Sequence, residues 1–382
     1  MTHPDTRPLS GVKVLDFTQN LPGPYATYLL ASWGAEVVKV EPPKGDPGRF
    51  MRPFFDMVNR GKKSVVLDLR NDGSRPALHA LMRWADVIVE GFRPGVMTRL
   101  GADYEAARAI REDIVYCSIS GFGQDGPLRD HPGHDLNLQA LSGVCHLERD
   151  GSDTPRGSML PIADLSSSLL AVSGISAALL SRERTGAGTY LDVAMLDGAL
   201  SFAGVWNGVD LTRDAHEQAG RVPLGRRALG PLLRHLDRAR LYAMPHYGVF
   251  PTRDGHLSIG IVDENHFWRS LCEELGLDRL KSIPLPVRIA TGPLLRPLVA
   301  RALKRRTTAD WMARFLARGV PASEALKPEE AARHPHVVAR GLVDRRGWIG
   351  SPLPGAGPVD AEAPKRGADT EGFLQSLGVT LP

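Results

Sequence analysis

The chain has 382 residues, of which 42% are hydrophobic and 24% are charged, and 47 basic against 43 acidic residues leave a net charge of +4. This is the composition of an ordinary globular protein, and the length exceeds the size at which one hydrophobic core usually stops growing, so we expect two domains. So small a net charge does not indicate a nucleic-acid-binding protein, which usually carries a concentrated basic face.

The cellular compartment is inferred from the cysteines and the N-terminus. Three scattered cysteines are too few for a disulfide framework and fit a reducing compartment. The N-terminus lacks a basic stretch followed by an apolar segment, so no secretory signal is predicted. No apolar run approaches the roughly 20 residues that a membrane-spanning helix needs. The sequence therefore predicts a cytoplasmic protein that binds neither a membrane nor nucleic acid.

The N-terminal half alternates short apolar runs with helical patterns. This alternation predicts an α/β fold, with helices on both faces of a parallel sheet. In such sheets ligands bind beyond the carboxyl ends of the strands, so the loops that follow the strands are where a site is expected. The predicted strands are residues 12–17, 36–41, 64–69, 86–90 and 113–118, and the predicted helices are residues 25–33 and 166–184.

The second half predicts a separate, smaller α/β domain. Residues 1–210 are interpreted as the N-terminal part of a large domain, and residues 211–242, rich in proline, glycine and arginine, as a linker. A hairpin with its turn at Asp254-Gly255 opens the small domain at residues 243–320. The C-terminal segment, residues 321–382, is predicted to return to the large domain.

A glycine-rich motif at residues 121–126, Gly-Phe-Gly-Gln-Asp-Gly, matches the dinucleotide-binding fingerprint and follows a predicted strand. That fingerprint requires a helix whose N-terminus receives the pyrophosphate. Here Pro127 and a polar stretch follow instead. We therefore interpret the glycines as the residues of a tight turn.

Two short segments, residues 133–137 and 161–164, carry side chains suited to chemistry. Asp164 precedes a helical pattern, where an aspartate commonly caps free backbone N–H groups, and one interpretation of His134 is a loop histidine bonded to Asp135. In the alternative interpretation, the helix N-terminus holds Asp164 as an oriented anion. Such a carboxylate can attack a thioester carbonyl, or remove a proton alpha to it once desolvation restores its basicity. These residues alone leave both interpretations open.

An ordered series of motifs resembles one enzyme family along most of the chain. They are LSGVKVLD at residues 9–16, GAEVVKVEPP at 34–43, KKSVVLDL at 62–69, ADVIVEGFRPG at 85–95, SGFGQDGP at 120–127, RTGAG at 184–188 and HPH at 334–336. The sequence resembles the family III CoA-transferases, which also include the 2-methylacyl-CoA racemases. The order of the motifs is more specific than any one of them.

The resemblance implies a Rossmann-like large domain, a small domain and an interlocked homodimer. It implies coenzyme A as part of the substrate, no tightly bound cofactor, and an acyl-CoA and a carboxylic acid as partners. The scattered histidines form no compact ligand motif, so no metal site is predicted. By their positions, six residues are expected near the CoA moiety: Gln19, Lys39, Asn59, Lys62, Phe92 and Arg99.

The resemblance leaves the reaction open between two chemistries. Asp164 matches the aspartate that forms anhydride and aspartyl-CoA intermediates in the transferases and serves as an acid/base in the racemases. His134 resembles the opposed base of the racemases, which an acid such as Asp263 or Glu264 would support. CoA transfer from an acyl-CoA to a carboxylate acceptor is our first hypothesis and racemisation the second. A non-catalytic acyl-CoA-binding protein is the third.

Overall fold

The computed structural model describes residues 6–147, 154–205, 244–344, 346–357, 359 and 361–381. The chain forms two compact units: unit 1 comprises Met1–Glu148, Pro155–Gly208 and His336–Pro382, and unit 2 comprises Arg149–Thr154 and Val209–Pro335. The predicted linker at residues 211–242 lies outside the described residues. Residues 321–335, which were expected to return to the large domain, fall in unit 2.

Unit 1 is built on a six-stranded parallel sheet in the order β3-β2-β1-β4-β5-β6, which confirms the predicted α/β fold class. The strand order reverses between β1 and β4, and ligands of open α/β sheets bind beyond the strand ends at such a point. The sixth strand was not predicted from the sequence. The strands are β1 (Lys13–Asp16), β2 (Glu36–Glu41), β3 (Lys63–Val66), β4 (Val87–Glu90), β5 (Val115–Ser120) and β6 (Thr189–Ala194).

Helices cover both faces of this sheet, because its strands are apolar on both sides. The helices of the described part of unit 1 up to residue 205 are α1 (Pro22–Ser32), α2 (Arg52–Asn59), α3 (Arg75–Trp84), α4 (Val96–Arg99), α5 (Tyr104–Ile110), α6 (Asp135–Leu141), α7 (Val144–Leu147), α8 (Ile162–Thr185) and α9 (Met195–Val205). Leu30 of α1 and Ile175 of α8 pack into the core on one face, and Leu81 of α3 packs into the core on the other.

Helix α8 is, within the described residues, the one helix long and apolar enough to cross a membrane by length and composition. The sequence analysis missed this property, because serines and a glycine interrupt the apolar residues of the helix. Half of its most apolar window is buried in the structure. Its buried residues, among them Ala171 and Ile175, join the same core as α1, and this packing accounts for the apolar composition.

The last segment of the chain packs onto the sheet of unit 1. The backbone N–H of Ser64 donates to the Asp369 carboxylate at 2.8 Å, and the Arg60 guanidinium pairs with Asp344 at 2.8 Å. A short helix follows, and its Phe373 side chain is buried beside the core that contains Leu81.

Unit 2 contains the predicted hairpin and a three-stranded antiparallel sheet in the order β7-β8-β9. Trp268 and Trp311 are among its largest buried side chains, and both indole N–H groups donate to backbone carbonyls. The strands are β7 (Tyr247–Pro251), β8 (His256–Gly260) and β9 (Ala322–Glu324). The α-helices of the described residues after position 244 are α10 (Asn265–Leu275), α11 (Leu285–Ala290), α12 (Gly292–Leu303), α13 (Thr308–Arg318), α14 (Pro328–Ala331), α15 (Pro335–Ala339) and α16 (Thr370–Ser376).

Candidate active site

A cavity of about 780 Å³ opens at the carboxyl ends of β1, β2, β3 and β4. We call it the basic cavity, because three exposed cations line it: Lys44, Arg70 and Arg99. Lys44 lies in the loop after β2, Arg70 in the loop after β3, and Arg99 at the end of α4. Parallel strands bring these loops to one edge of the sheet. The sequence analysis named Arg99 but missed Lys44 and Arg70, although both follow predicted strands.

A second cavity, of about 770 Å³, contains both sequence-predicted catalytic residues, Asp164 and His134. We call it the Asp164 cavity. Gln19 and Phe92 line both cavities, so the two adjoin each other at the turns that follow β1 and β4. Three of the six residues expected near CoA therefore line a cavity: Gln19, Phe92 and Arg99.

The turn that carries Gln19 has an unusual backbone. Asn20 is the only residue other than glycine among the described residues with a positive φ, at 62°. Asparagine tolerates this left-handed conformation better than most residues, and here the Asn20 N–H donates to the Asp46 carboxylate at 3.3 Å. The turn thereby holds Gln19 between the two cavities.

Lys39, Asn59 and Lys62 lie below these cavities and line neither of them. The Lys39 ammonium is fully buried, donates to the Thr18 carbonyl at 2.7 Å and pairs with Asp46 at 2.8 Å. The Lys62 ammonium is also buried and donates to Asp16 at 3.0 Å and to Asn59 at 2.9 Å. Burial lowers the pKa of Lys62 to about 8, although the Asp16 charge opposes that shift.

Asp164 occupies the first turn of α8, which begins at Ile162, and it does not cap the helix. The capping interpretation is therefore wrong. The Asp164 side chain is partly exposed to the Asp164 cavity and has no hydrogen-bond or ion-pair partner within the described residues. Burial, followed by the negative charge of Asp135, raises its pKa to about 7. The raised pKa is opposite to the expectation that the helix N-terminus holds Asp164 as an anion.

Asp135 provides the missing cap from another helix. Its Oδ1 accepts from the backbone N–H groups of Ala163 at 2.8 Å and Asp164 at 3.2 Å. Its other oxygen accepts from the Gln139 amide, whose Oε1 accepts from the Ser158 N–H at 2.8 Å. Gln139 is buried, so this network fixes both the start of α8 and the loop before it. Asp135 was considered from the sequence only as a partner of His134.

His134 stands immediately before α6, and its side chain is exposed and lines the Asp164 cavity. Its backbone N–H donates to the side chain of Asn137 at 3.0 Å, which orders the start of the helix. The acids suggested as its support, Asp263 and Glu264, lie in unit 2 immediately before α10. There the Glu264 carboxylate accepts from the backbone N–H groups of Val262 and Asp263.

The glycine-rich motif forms a turn and not the start of a helix. Gly123 and Gly126 have positive φ angles of 88° and 84°, and the next helix, α6, begins only at Asp135. The turn is fixed to β6, because the Gln124 N–H donates to Asp192 at 2.9 Å. Across the parts of the chain that the structure describes, no group of three or more metal-ligating side chains comes together.

The site shows a partly desolvated carboxyl group at a helix N-terminus, with a histidine in the same cavity and a cationic cavity beside it. Such a carboxyl group can act as a nucleophile or as a base near neutral pH. The cations suit phosphate groups, which form charge-assisted hydrogen bonds with lysine and arginine.

Comparison with known proteins agrees with this chemistry. The family model described as CoA-transferase family III matches residues 9–354. An acetyl-CoA:oxalate CoA-transferase from Acetobacter aceti is 34% identical over 90% of this chain and 87% of its own. A succinate–glutarate CoA-transferase from Agrobacterium fabrum is 32% identical over 91% of this chain and 88% of its own. A CAIB/BAIF family protein from Brucella suis has a similar crystal structure, with a TM-score of 0.82 and 27% identity over 97% of this chain and 99% of its own.

Proposed function

We propose that this chain, which belongs to CoA-transferase family III, moves CoA from an acyl-CoA to a carboxylic acid acceptor with Asp164 as the nucleophile. The curated relatives named above are CoA-transferases by name, and they favour transfer over racemisation. The observation that carries the proposal is the Asp164 carboxyl group, unpartnered within the described residues, in a cavity that adjoins the basic cavity.

The proposed reaction proceeds by two exchanges at the Asp164 carboxyl group. The carboxylate attacks the acyl-CoA carbonyl, and the CoA thiolate leaves an acyl-aspartyl anhydride. The thiolate then attacks the aspartyl carbonyl, which releases the donor acid and leaves an aspartyl-CoA thioester. The acceptor carboxylate repeats these steps in reverse order, which forms the new acyl-CoA and restores Asp164. Each step exchanges one acyl bond for another, so the balance requires no oxidant or reductant.

CoA is proposed to bind across the two cavities. Lys44, Arg70 and Arg99 would hold its phosphates, and Gln19 and Phe92 would lie where the pantetheine arm passes into the Asp164 cavity. This arrangement changes the roles expected for Lys39, Asn59 and Lys62. Because their side chains are buried and bonded to protein groups, we propose that they support the turns after β1 and β2 and do not contact CoA.

The pKa of Asp164 suits this role. A carboxylate with a pKa near 7 is more nucleophilic than an ordinary aspartate and is still ionised in a substantial fraction of molecules at neutral pH. An ordinary exposed aspartate would be fully ionised but less reactive.

The experiment that tests the proposal compares Asp164→Asn with Asp310→Asn. Asp310 occupies the first turn of α13, as Asp164 does in α8, but its side chain is exposed on unit 2 and lines neither cavity. We expect Asp164→Asn to lose CoA transfer while its affinity for CoA changes little, and Asp310→Asn to keep both. Wild-type transfer in Asp164→Asn would remove Asp164 from the chemistry. If the wild type shows no turnover, and Asp164→Asn binds its ligand as the wild type does, the result would favour the non-catalytic hypothesis.

We also propose that the protein is a homodimer. Large apolar side chains of unit 1 are exposed: Phe50, at 94%, and Leu136 line the Asp164 cavity, and Leu141, Met159, at 97%, and Leu160 lie near Leu136 or Asp164 in the sequence. Apolar residues grouped in this way usually mark a protein interface. Sedimentation at micromolar concentration should give a dimer, and an active monomer under those conditions would contradict this part of the proposal.

A further inference from the structure

Unit 2 contains a buried arginine whose positive charge has no acidic partner among the described residues. The Arg288 side chain belongs to the short helix α11 and is 0% exposed. Its Nη2 donates to the amide oxygen of Asn265 at 2.6 Å. Its Nε and Nη1 atoms are buried and have no hydrogen-bond partner in the part of the chain that the structure describes. Only part of the guanidinium is therefore satisfied by the protein.

The electrostatic surroundings of Arg288 do not balance its charge. Burial lowers the pKa of Arg288, and among the described residues the Cys272 thiol opposes this shift. Burial itself raises the pKa of the Cys272 thiol to about 12, so that group is neutral at physiological pH. A buried guanidinium without a counter-charge destabilises the folded state, as other unpaired buried ions do.

His246 is the second unsatisfied group of this cluster. It is 0% exposed, its Nδ1 lies 3.0 Å from the Ile261 carbonyl, and its Nε2 has no hydrogen-bond partner from the described segments. Burial, followed by the positive charge of Arg288, lowers its pKa to about 4. His246 therefore supplies no negative charge, and the acid that opposes the effect of Arg288 on its pKa is Glu264, the last and smallest of the causes.

Trp268 joins the two groups. Its ring centroid lies 5.2 Å from the Arg288 guanidinium carbon and 5.5 Å from the His246 ring centroid. The Trp268 side chain is itself buried, and its indole N–H is already bonded to the Leu280 carbonyl. The indole ring offers Arg288 a cation–π contact, but such a contact carries no net negative charge.

We propose that unit 2 has a buried binding site for one small monovalent anion, of which chloride is the most common, at the guanidinium of Arg288. The anion accepts the N–H bonds that the protein leaves unmade and neutralises the buried charge. Full burial of Arg288 restricts the ligand to a halide or a similarly small anion and excludes an acyl-CoA. The site is therefore distinct from the two cavities of unit 1.

Crystallography with bromide gives the direct test, because bromide replaces chloride and scatters anomalously. Crystals of the full-length protein grown in sodium bromide should show an anomalous peak within hydrogen-bonding distance of Arg288. A water molecule at that position, with no anomalous signal, would overturn the proposal.

A thermal titration tests the same site in solution. Chloride is exchanged for the larger gluconate at constant ionic strength. An anion that binds only the folded state raises the melting temperature as its concentration rises. We expect such a rise in the wild type and in the control variant Arg301→Met, whose arginine is exposed on α12. We expect no chloride dependence in Arg288→Met.

The outcomes of this titration are decisive in either direction. A flat titration in the wild type, or an unchanged response in Arg288→Met, would contradict the anion site. If Arg288→Met does not fold, Arg288→Lys keeps the charge and should keep a chloride response, and loss of that response would also count against the proposal.

Discussion

The carboxylate of Asp135 accepts a hydrogen bond from the backbone N–H of Asp164 at 3.2 Å. One acidic side chain therefore holds the first turn of α8 in place and, by its charge, raises the pKa of the acid within that turn. Position and reactivity of Asp164 thus depend on the same neighbour. The hydrogen bond that positions Asp164 and the charge that raises its pKa can be separated by substitution of Asp135.

The pH dependence of transfer should follow the ionisation of Asp164. Because the attacking form is the carboxylate, the rate of the first half-reaction should rise with pH through a midpoint near the pKa of about 7. Asp135→Asn removes the charge and keeps an oxygen that can accept from the α8 backbone. We expect the midpoint of the Asp135→Asn profile to move to lower pH, while burial of Asp164 keeps that midpoint above the pKa of an exposed aspartate. The measurement is a pH profile of single-turnover rates.

Glu112→Gln is the control for that shift, because Glu112 is an exposed acid that lines neither cavity. Its profile should match the wild type. An Asp135→Asn profile that also matches the wild type, in a protein with an unchanged melting temperature, would show that Asp135 does not set the pKa of Asp164.

Stability provides an independent measure of the Asp164 pKa. In the unfolded chain this carboxyl group ionises near 3.8, whereas in the folded chain it keeps its proton up to about 7. The wild type therefore loses stability as pH rises through that window, and Asp164→Asn does not. At pH 8 we expect the variant to unfold with a free energy on the order of 2 kcal/mol larger than that of the wild type. Denaturant titrations at pH 4 and pH 8 measure the difference.

That stability difference should be small near pH 4, because this pH lies close to the unfolded-state pKa of 3.8 and the unfolded chain gains little free energy there by ionising Asp164. Asp310→Asn, the same change in a first turn on unit 2, should show no such pH dependence. A variant that is less stable than the wild type at pH 8 would contradict the raised pKa.

The basic cavity should determine the affinity for CoA and not the rate of the chemical steps. Arg70→Met and Arg99→Met each remove a cation that lines it. Because a hydrogen bond to a charged group contributes about 1.5–3 kcal/mol, we expect KM for acyl-CoA to rise roughly 10- to 100-fold, with kcat nearly unchanged. Steady-state kinetics at several salt concentrations measures this effect. Arg108→Met removes an exposed arginine that does not line the cavity and should behave as the wild type.

His134 distinguishes transfer from racemisation. A racemase needs a second base on the opposite face of the alpha carbon, whereas a transferase needs only the carboxylate. We expect the wild type to leave the configuration of a 2-methylacyl-CoA unchanged in deuterated water, and His134→Ala to keep most of its CoA transfer. Chiral analysis and mass spectrometry follow configuration and label. Label exchange together with inversion in the wild type, lost in His134→Ala, would establish the racemase.

The sequence predicted those features that depend on local pattern. The five predicted strands of the parallel sheet all occur, because each is an apolar run bounded by turn residues. Strand β6 was missed because it follows a glycine-rich turn and only its last two residues, Val193 and Ala194, are buried, whereas the positions before them alternate between half-buried and exposed. Helix α16 was missed within a segment rich in glycine and proline, where its short apolar pair, Phe373 and Leu374, gave a weak signal.

The candidate site was predicted in part. Asp164 and His134 were found because short motifs carry them. Lys44 and Arg70 were missed because they lie on separate loops, and only the parallel sheet brings those loops together. Lys39 lies between two valines on β2. Its burial could not be inferred from the sequence, because its ion pair with Asp46 depends on the fold of the following loop. The role of Asp135 likewise depends on a contact with a helix distant in sequence.

Mass spectrometry of the intact and digested protein, after incubation with acyl-CoA, tests the central claim most directly. With hydroxylamine as a trapping agent, an activated Asp164 carboxyl group should be converted to a hydroxamate in the peptide that contains it. We expect this modification in the wild type only when acyl-CoA is present, and we expect none in Asp164→Asn. Turnover of acyl-CoA to a new thioester with no modification of Asp164 would contradict the proposed nucleophile.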